Sequence, residues 1–153
     1  MKKAILSFAS GRGKREENVR NAVHATERLT GTTVIVKSSL YESDAEGAEI
    51  LMACAVLLTE LSPFSLFGAC KGIEAAMGRV ADEDSGKQVM EIELLLYEDV
   101  VLRNPELILP HPELLRRPMF LFPLGEIFPD GKALGVDFSG ALRKADTERI
   151  RTL

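Results

Sequence analysis

Two glutamates, Glu91 and Glu93, stand one residue apart in the run Gln-Val-Met-Glu-Ile-Glu-Leu-Leu-Leu-Tyr at residues 88–97. The run alternates at its start and then turns solidly apolar, which predicts a central strand with one end open to a polar cleft. Side chains alternate faces along a strand, so Glu91 and Glu93 point one way and Met90, Ile92 and Leu94 the other. Two carboxylates side by side on a rigid strand repel each other unless something positive sits between them. A divalent cation answers that need: Mg²⁺ prefers oxygen ligands and often takes one or two carboxylates together with nucleotide phosphates. The competing reading is a half-buried strand whose polar side faces water, and a motif this short does not separate the two.

The rest of the chain sets the frame for that pair. With 153 residues the chain suits one compact domain, residues 1–153, with an ordered core over about 2–130. Net charge is −4, so no global basic field recruits nucleic acid or an anionic membrane. No apolar run is long enough to span a bilayer. The apolar opening is too short for a signal peptide and meets Gly11-Arg12-Gly13-Lys14-Arg15 at once, so it reads as a strand. Cys54 and Cys70 lie in apolar contexts without metal-ligand spacing, as expected of buried free thiols in a cytoplasmic protein.

Taken in order, residues 3–10 predict a strand and residues 15–29 a helix, with Val19, Ala22, Val23 and Thr26 at helical spacing. Residues 32–40 form a β-branched strand, 41–47 an acidic flexible connection, and 49–61 a second strand that closes an antiparallel hairpin. Ser62-Pro63 is a helix start, serine as N-cap and proline in the first turn, for a helix reaching about Gly78. An exposed acidic loop over 81–87 precedes the glutamate strand. Prolines 105, 110 and 112 make the next segment extended, with short helices expected near 113–116 and 120–127 and a weakly ordered tail beyond about Leu142. The order is β-α-β-β-α-β: an α+β, ferredoxin-like antiparallel sheet flanked by helices, with C-terminal appendages.

Several segments resemble one family. Leu109-Pro110-His111-Pro112-Glu113-Leu114, Arg117, and Phe120-Leu121-Phe122-Pro123-Leu124-Gly125-Glu126-Ile127 with Pro129-Asp130 are similar to the C-terminal signature of 6-hydroxymethyl-7,8-dihydropterin pyrophosphokinases. So are Ser38-Ser39-Leu40-Tyr41, the Thr59-Glu60-Leu61-Ser62-Pro63 helix start, and Ile73-Glu74 followed by Gly78-Arg79-Val80. The resemblance implies a folate-pathway transferase that moves the terminal diphosphate of ATP to the hydroxymethyl group of a reduced pterin. It implies two Mg²⁺ ions between the triphosphate and the acids of the central strand, here Glu91 and Glu93. Arg79 matches a phosphate-facing arginine, Glu74 a nucleotide-side acid, and His111 and Arg117 the pair that contacts the nucleotide phosphates. Ser43, Met52 and Phe120 fall at or beside the pterin-facing positions.

The departures from the family pattern also cluster in the cleft. The metal pair is Glu-x-Glu where the family has Asp-x-Asp, and the family's Trp-Gly-Pro-Arg reads Ser85-Gly86-Lys87-Gln88 in a chain without any Trp. Lys87 is left to supply the missing charge, though not an arginine's bidentate fork. The family's aromatic-Leu-Asn triplet is Ile50-Leu51-Met52, and methionine cannot hydrogen-bond a heterocycle edge. Two readings follow: an active ATP- and Mg²⁺-dependent pterin diphosphotransferase, or a relative that has lost pterin recognition. The second would bind nucleotide or a protein partner, or act on another acceptor.

Overall fold

The computed structural model describes residues 1–44, 49–80, 88–146 and 149–153. The acidic loop expected over 81–87, Lys87 included, therefore lies outside the described residues. Strand β1 (Lys2–Ser10) runs antiparallel to β4 (Ile50–Thr59) over its whole length, from Lys2 opposite Thr59 to Ser10 opposite Leu51. On its other flank lies β5 (Glu91–Tyr97), also antiparallel, with Ala9 opposite Glu91 and Ser7 opposite Glu93. Across β4, strands β2 (Thr32–Lys37) and β3 (Tyr41–Ser43) share its outer edge, Thr32 opposite Thr59 and Tyr41 opposite Met52.

Alternation along β1 and β4 sorts the core into two layers. Ala4, Leu6 and Phe8 with Leu51, Ala53, Ala55 and Leu57 face α1 (Arg15–Glu27) and α2 (Pro63–Ala76). Ile5, Cys54 and Val56 face α3 (Pro118–Ile127) through Phe120, Leu121 and Leu124. Helices on both faces explain why β1 and β4 read as continuous apolar runs rather than alternating ones. Cys54 and Cys70 are both buried and unpaired, one in each layer. The N-cap of α2 is as expected, Ser62 Oγ accepting from the Ser65 N–H at 3.2 Å.

Four local expectations are corrected. The glutamate strand is not central: among the described residues β5 pairs β1 alone and ends the sheet order β10-β3-β4-β1-β5. It is apolar because both its faces are covered, Leu94 in one core layer and Leu95 and Leu96 in the other. The following segment, which includes β6 (Leu102–Arg103) and β7 (Ile108–Leu109), covers its outer edge: the His111 N–H donates to the Leu95 carbonyl at 2.9 Å. No helix forms at 113–116; hydrogen-bonded turns stand there, because Pro118 holds Arg117 extended and opens α3 in its own first turn.

The acidic connection expected over 41–47 begins as strand β3. The tail is likewise ordered: β8 (Lys132–Ala133), β9 (Val136–Asp137), α4 (Ser139–Lys144) and β10 (Ile150–Thr152), the last paired with β3, Ile150 opposite Ser43. What holds β10 is a charge cluster invisible in a hydrophobic pattern. Glu42, 8% exposed, accepts from Arg15 Nη2 at 2.6 Å and from Arg151 Nη2 with its other oxygen. One carboxylate thus ties α1, β3 and β10 together.

The hydrogen bond from Arg15, helped by the charges of both arginines and opposed by partial desolvation, holds the Glu42 carboxyl below its ordinary 4.5. A depressed folded value means its stabilisation is full above pH 4.5 and is lost as pH falls through the folded value. The stability gap between the native protein and Glu42→Gln is therefore expected to shrink on acidification from about pH 7 to about pH 3, as read from thermal midpoints.

Candidate active site

A cavity of about 260 Å³ opens on the α3 side of the sheet, where β1, β4 and β5 present Ala9, Met52 and Glu91 side by side. Its floor is apolar, Ile50 and Met52 from β4 with Met119 from α3; Arg117 and Ser43 add polar groups. Glu93 follows two residues along β5 on the same face. Beyond it lies a second cavity of about 180 Å³, walled by Phe67, Leu94, Leu107 and Ile108 with Glu93 and His111 at its polar end. The glutamate pair thus bridges two cavities.

Hydrogen-bond donors ring that pair. Arg79 Nη2 lies 3.8 Å from Glu91 Oε1, and its Nε lies 3.8 Å from Glu74 Oε1. His111 Nε2 lies 3.2 Å from Glu93 Oε2, while its Nδ1 accepts the Glu113 N–H at 3.0 Å. That second bond places the ring hydrogen on Nε2, facing Glu93. Burial alone would raise the Glu93 carboxyl, but the His111 hydrogen bond and the charges of Lys71, His111 and Arg117 outweigh it and hold the group below 4.5. Glu93 is accordingly ionised throughout the neutral range.

Glu74 has a different neighbourhood. It is 2% exposed, and its Oε2 accepts the Ile92 N–H at 2.6 Å while Lys71 Nζ stands 3.3 Å from Oε1. It braces the β5 backbone between the two glutamates. Burial raises its carboxyl above 4.5 despite the Ile92 bond and the Lys71 and Arg79 charges. Phe120, expected beside the acceptor, is 1% exposed and packs edge-on to the His111 ring at 5.2 Å, leaving Met119 at the cavity surface. Its other neighbour is Arg117, whose guanidinium carbon sits 5.4 Å from the ring centroid.

Other residues of the site were not singled out in the sequence. Gln88 fastens both flanks of the stretch before β5: its amide pairs with Val80 N–H and C=O at 3.0 and 2.7 Å, and its own carbonyl accepts the Gly11 N–H at 2.9 Å. Glu126 locks α3 to the start of β3 by accepting from Ser39 N at 2.9 Å and Tyr41 Oη at 2.7 Å. Lys71 is added by α2 through its ion pair with Glu74, and Asp146 and Arg149 line the first cavity from the C-terminal segment. Two of these positions carried a signal: Glu126 in the Gly125-Glu126 stretch of the C-terminal signature, and Gln88 at the place of the family's arginine.

Among the described residues no three His, Cys, Asp or Glu side chains cluster as a metal site. The donors present fit Mg²⁺ all the same. Two hard carboxylates on one strand face would leave the remaining positions to phosphate and water oxygens, as this ion commonly requires.

Comparison with known proteins decides between the families that such a site could serve. The family model for 7,8-dihydro-6-hydroxymethylpterin-pyrophosphokinase matches residues 5–129. The chain belongs to this family. A 2-amino-4-hydroxy-6-hydroxymethyldihydropteridine pyrophosphokinase of Methylorubrum extorquens is 33% identical over 154 residues, covering 98% of both chains. One of Pseudomonas aeruginosa is 31% identical, over 85% of this chain and 83% of the relative. Among solved structures, a crystal structure of HPPK-DHPS with substrates superposes with a TM-score of 0.70 at 11% identity. Plasmodium falciparum HPPK-DHPS with pteroate reaches 0.73 at 12%. The chain spans 43% and 42% of those two longer chains, and the likeness is one of fold. The pyrophosphokinase fold thus accounts for the α+β sheet flanked by helices.

Proposed function

We propose that this pyrophosphokinase-family protein transfers the terminal diphosphate of ATP to the hydroxymethyl group of 6-hydroxymethyl-7,8-dihydropterin, as a step in folate biosynthesis. The observation that carries the reading is the placement of Glu91 and Glu93 on one face of β5, between an acceptor-sized cavity and a second, apolar cavity. The first takes the pterin, and the second takes the nucleotide base against Phe67, Leu94 and Leu107. The triphosphate then lies across the glutamate pair, within reach of Arg79, His111 and Arg117. The match over 98% of both chains, at 33% identity, with a relative named as this enzyme supports an active protein over a degenerate one.

Chemically, the acceptor hydroxyl oxygen attacks the β-phosphorus, the bond from that phosphorus to the α,β-bridging oxygen breaks, AMP leaves, and the hydroxyl proton is released to water. Such a transfer asks for in-line positioning and charge stabilisation more than for covalent work by the protein. Arg79 and Arg117 offer guanidinium forks suited to phosphate oxygens. His111 offers an Nε2 hydrogen that can follow charge as it moves onto the leaving group. Glu91 and Glu93 would hold Mg²⁺, which when bound would neutralise charge on the phosphate oxygens. The buried free thiols Cys54 and Cys70 suit a reducing compartment, and we place the reaction in the cytoplasm.

The test is calorimetric titration with a non-hydrolysable ATP analogue and Mg²⁺, with and without 6-hydroxymethylpterin, followed by an AMP-release assay. Nucleotide binding that tightens with pterin, and AMP release that requires the dihydropterin, are the expected results. Nucleotide binding indifferent to pterin would instead assign another acceptor.

A further inference from the structure

Arg79 stands beside both Glu74 and Glu91, yet these side-chain contacts are loose: Nε lies 3.8 Å from Glu74 Oε1 and Nη2 lies 3.8 Å from Glu91 Oε1. Both are ion-pair distances rather than hydrogen bonds, and contacts of that kind do little to fix a partly exposed side chain. Its place beside the glutamates therefore depends on how its backbone is held.

The backbone is held on both sides. After α2 ends, Gly78 turns the chain with a φ of +100°, and the Arg79 N–H donates to the Glu74 carbonyl at 3.1 Å. The following residue is held by Gln88, whose Oε1 accepts the Val80 N–H at 3.0 Å while its Nε2 donates to the Val80 carbonyl at 2.7 Å. One amide thus meets both polar groups of one residue, which also sets its orientation, since the reversed amide would put donor against donor. Gln88 is buried, and its own carbonyl accepts the Gly11 N–H at the end of β1 at 2.9 Å. The anchor stands three residues ahead of Glu91. Gln88 carries no charge to offer a phosphate, and its amide is already engaged with Val80.

We infer that Gln88 is a positioning residue: its amide, acting through Val80, holds the Arg79 guanidinium at Glu91, where the triphosphate is to be met. The inference rests on the diphosphate-transfer reading made above. Val80 is 47% exposed, so its freed peptide can turn to water and the fold loses little. The rate loses more, because a guanidinium out of line no longer meets the charge that develops on the phosphate oxygens.

The test is a double-mutant cycle in the full chain: Gln88→Met, which removes both amide bonds at nearly constant volume, Arg79→Ala, and the two together. AMP release gives kcat/KM for ATP and KM for the dihydropterin, and calorimetry gives affinity for the ATP analogue with Mg²⁺. Gln88→Met should lower kcat/KM for ATP about tenfold, with the thermal midpoint within a few degrees of native. Gln88 also lines the first cavity, so the pterin KM is the control and should move by less than about twofold. In the Arg79→Ala background the same substitution should cost less than about twofold, because the group it positions is gone. Gln88→Glu keeps an acceptor for the Val80 N–H and loses the donor, and should fall between the native protein and Gln88→Met. Equal losses in both backgrounds overturn the inference alone, as does a rise in the pterin KM as large as the loss for ATP. Native protein that binds the analogue but releases no AMP with the dihydropterin removes the acceptor reading. The same cycle read in analogue affinity then decides the inference, non-additive losses upholding it and additive ones overturning it. Native protein that binds no analogue removes both.

Discussion

Glu93→Gln is expected to lower kcat/KM about 10³-fold while leaving the fold intact, a loss on the order of 4 kcal/mol of transition-state stabilisation. Glutamine keeps the shape of the side chain and an oxygen for His111 Nε2, so the packing of Pro112, Leu107 and Phe67 around it is undisturbed. What disappears is the negative charge. In the native protein that charge is secured by His111 at 3.2 Å and by the fields of Lys71 and Arg117, strongly enough to overcome the cost of burial. A neutral amide in its place leaves Lys71 and Arg117 without their counter-charge and, in the proposed site, would leave Mg²⁺ with one carboxylate.

The measurement is a pair of titrations, ATP analogue against Mg²⁺ for the native and variant proteins, together with AMP release. Mg²⁺-dependent tightening of nucleotide binding should vanish in Glu93→Gln, and the thermal midpoint should stay within a few degrees. Retention of a tenth or more of the native rate would show that Glu93 is not a ligand. The depressed carboxyl also fixes the acid side of the profile. Because the folded value lies below 4.5, protonation of Glu93 does not limit the native rate until the pH falls beneath that figure.

The β-α-β-β-α-β order was legible because each element carries its own local signal: continuous apolar runs for β1 and β4, a Ser-Pro start for α2, and apolar spacing for α1. Charge and pairing decided the remainder. β10 has one half-buried and two exposed residues and no hydrophobic stripe, so nothing in residues 150–152 announces a strand. It exists because Arg151 meets Glu42 from a position 109 residues away in sequence. The same holds for the edge position of β5, since its apolar composition reports coverage of both faces and says nothing about how many strands it pairs. In the site, the acids were legible from their spacing on a strand. Lys71 and Arg149 were not, because each reaches the site across a gap between elements that only the tertiary fold closes.

Glu74→Ala is expected to be the most damaging of the polar substitutions for stability, by about 3 kcal/mol, which for a domain of this size lowers the thermal midpoint by about 6–12 °C. Two separate losses add. The Ile92 N–H, in a buried part of β5, forfeits its acceptor at 2.6 Å, and Lys71 and Arg79 lose the carboxylate between them. Since Ile92 sits between Glu91 and Glu93, loosening it moves both, and activity should fall with stability. Glu74→Gln separates the two contributions, because its amide oxygen can still accept from Ile92 while the charge is gone; its cost should be well under that of alanine.

Titration then distinguishes Glu74 from Glu42 by sign. Burial raises the Glu74 carboxyl above 4.5, so its contribution to stability is full below that value and is lost as pH rises through the folded value. The native protein should therefore gain on Glu74→Gln as pH falls from about 7 to about 4, whereas it loses ground to Glu42→Gln over the same range. Thermal midpoints of the three proteins across that window test both assignments together. Parallel curves for the two variants would mean that the arginines do not hold the Glu42 carboxyl down or that burial does not raise that of Glu74.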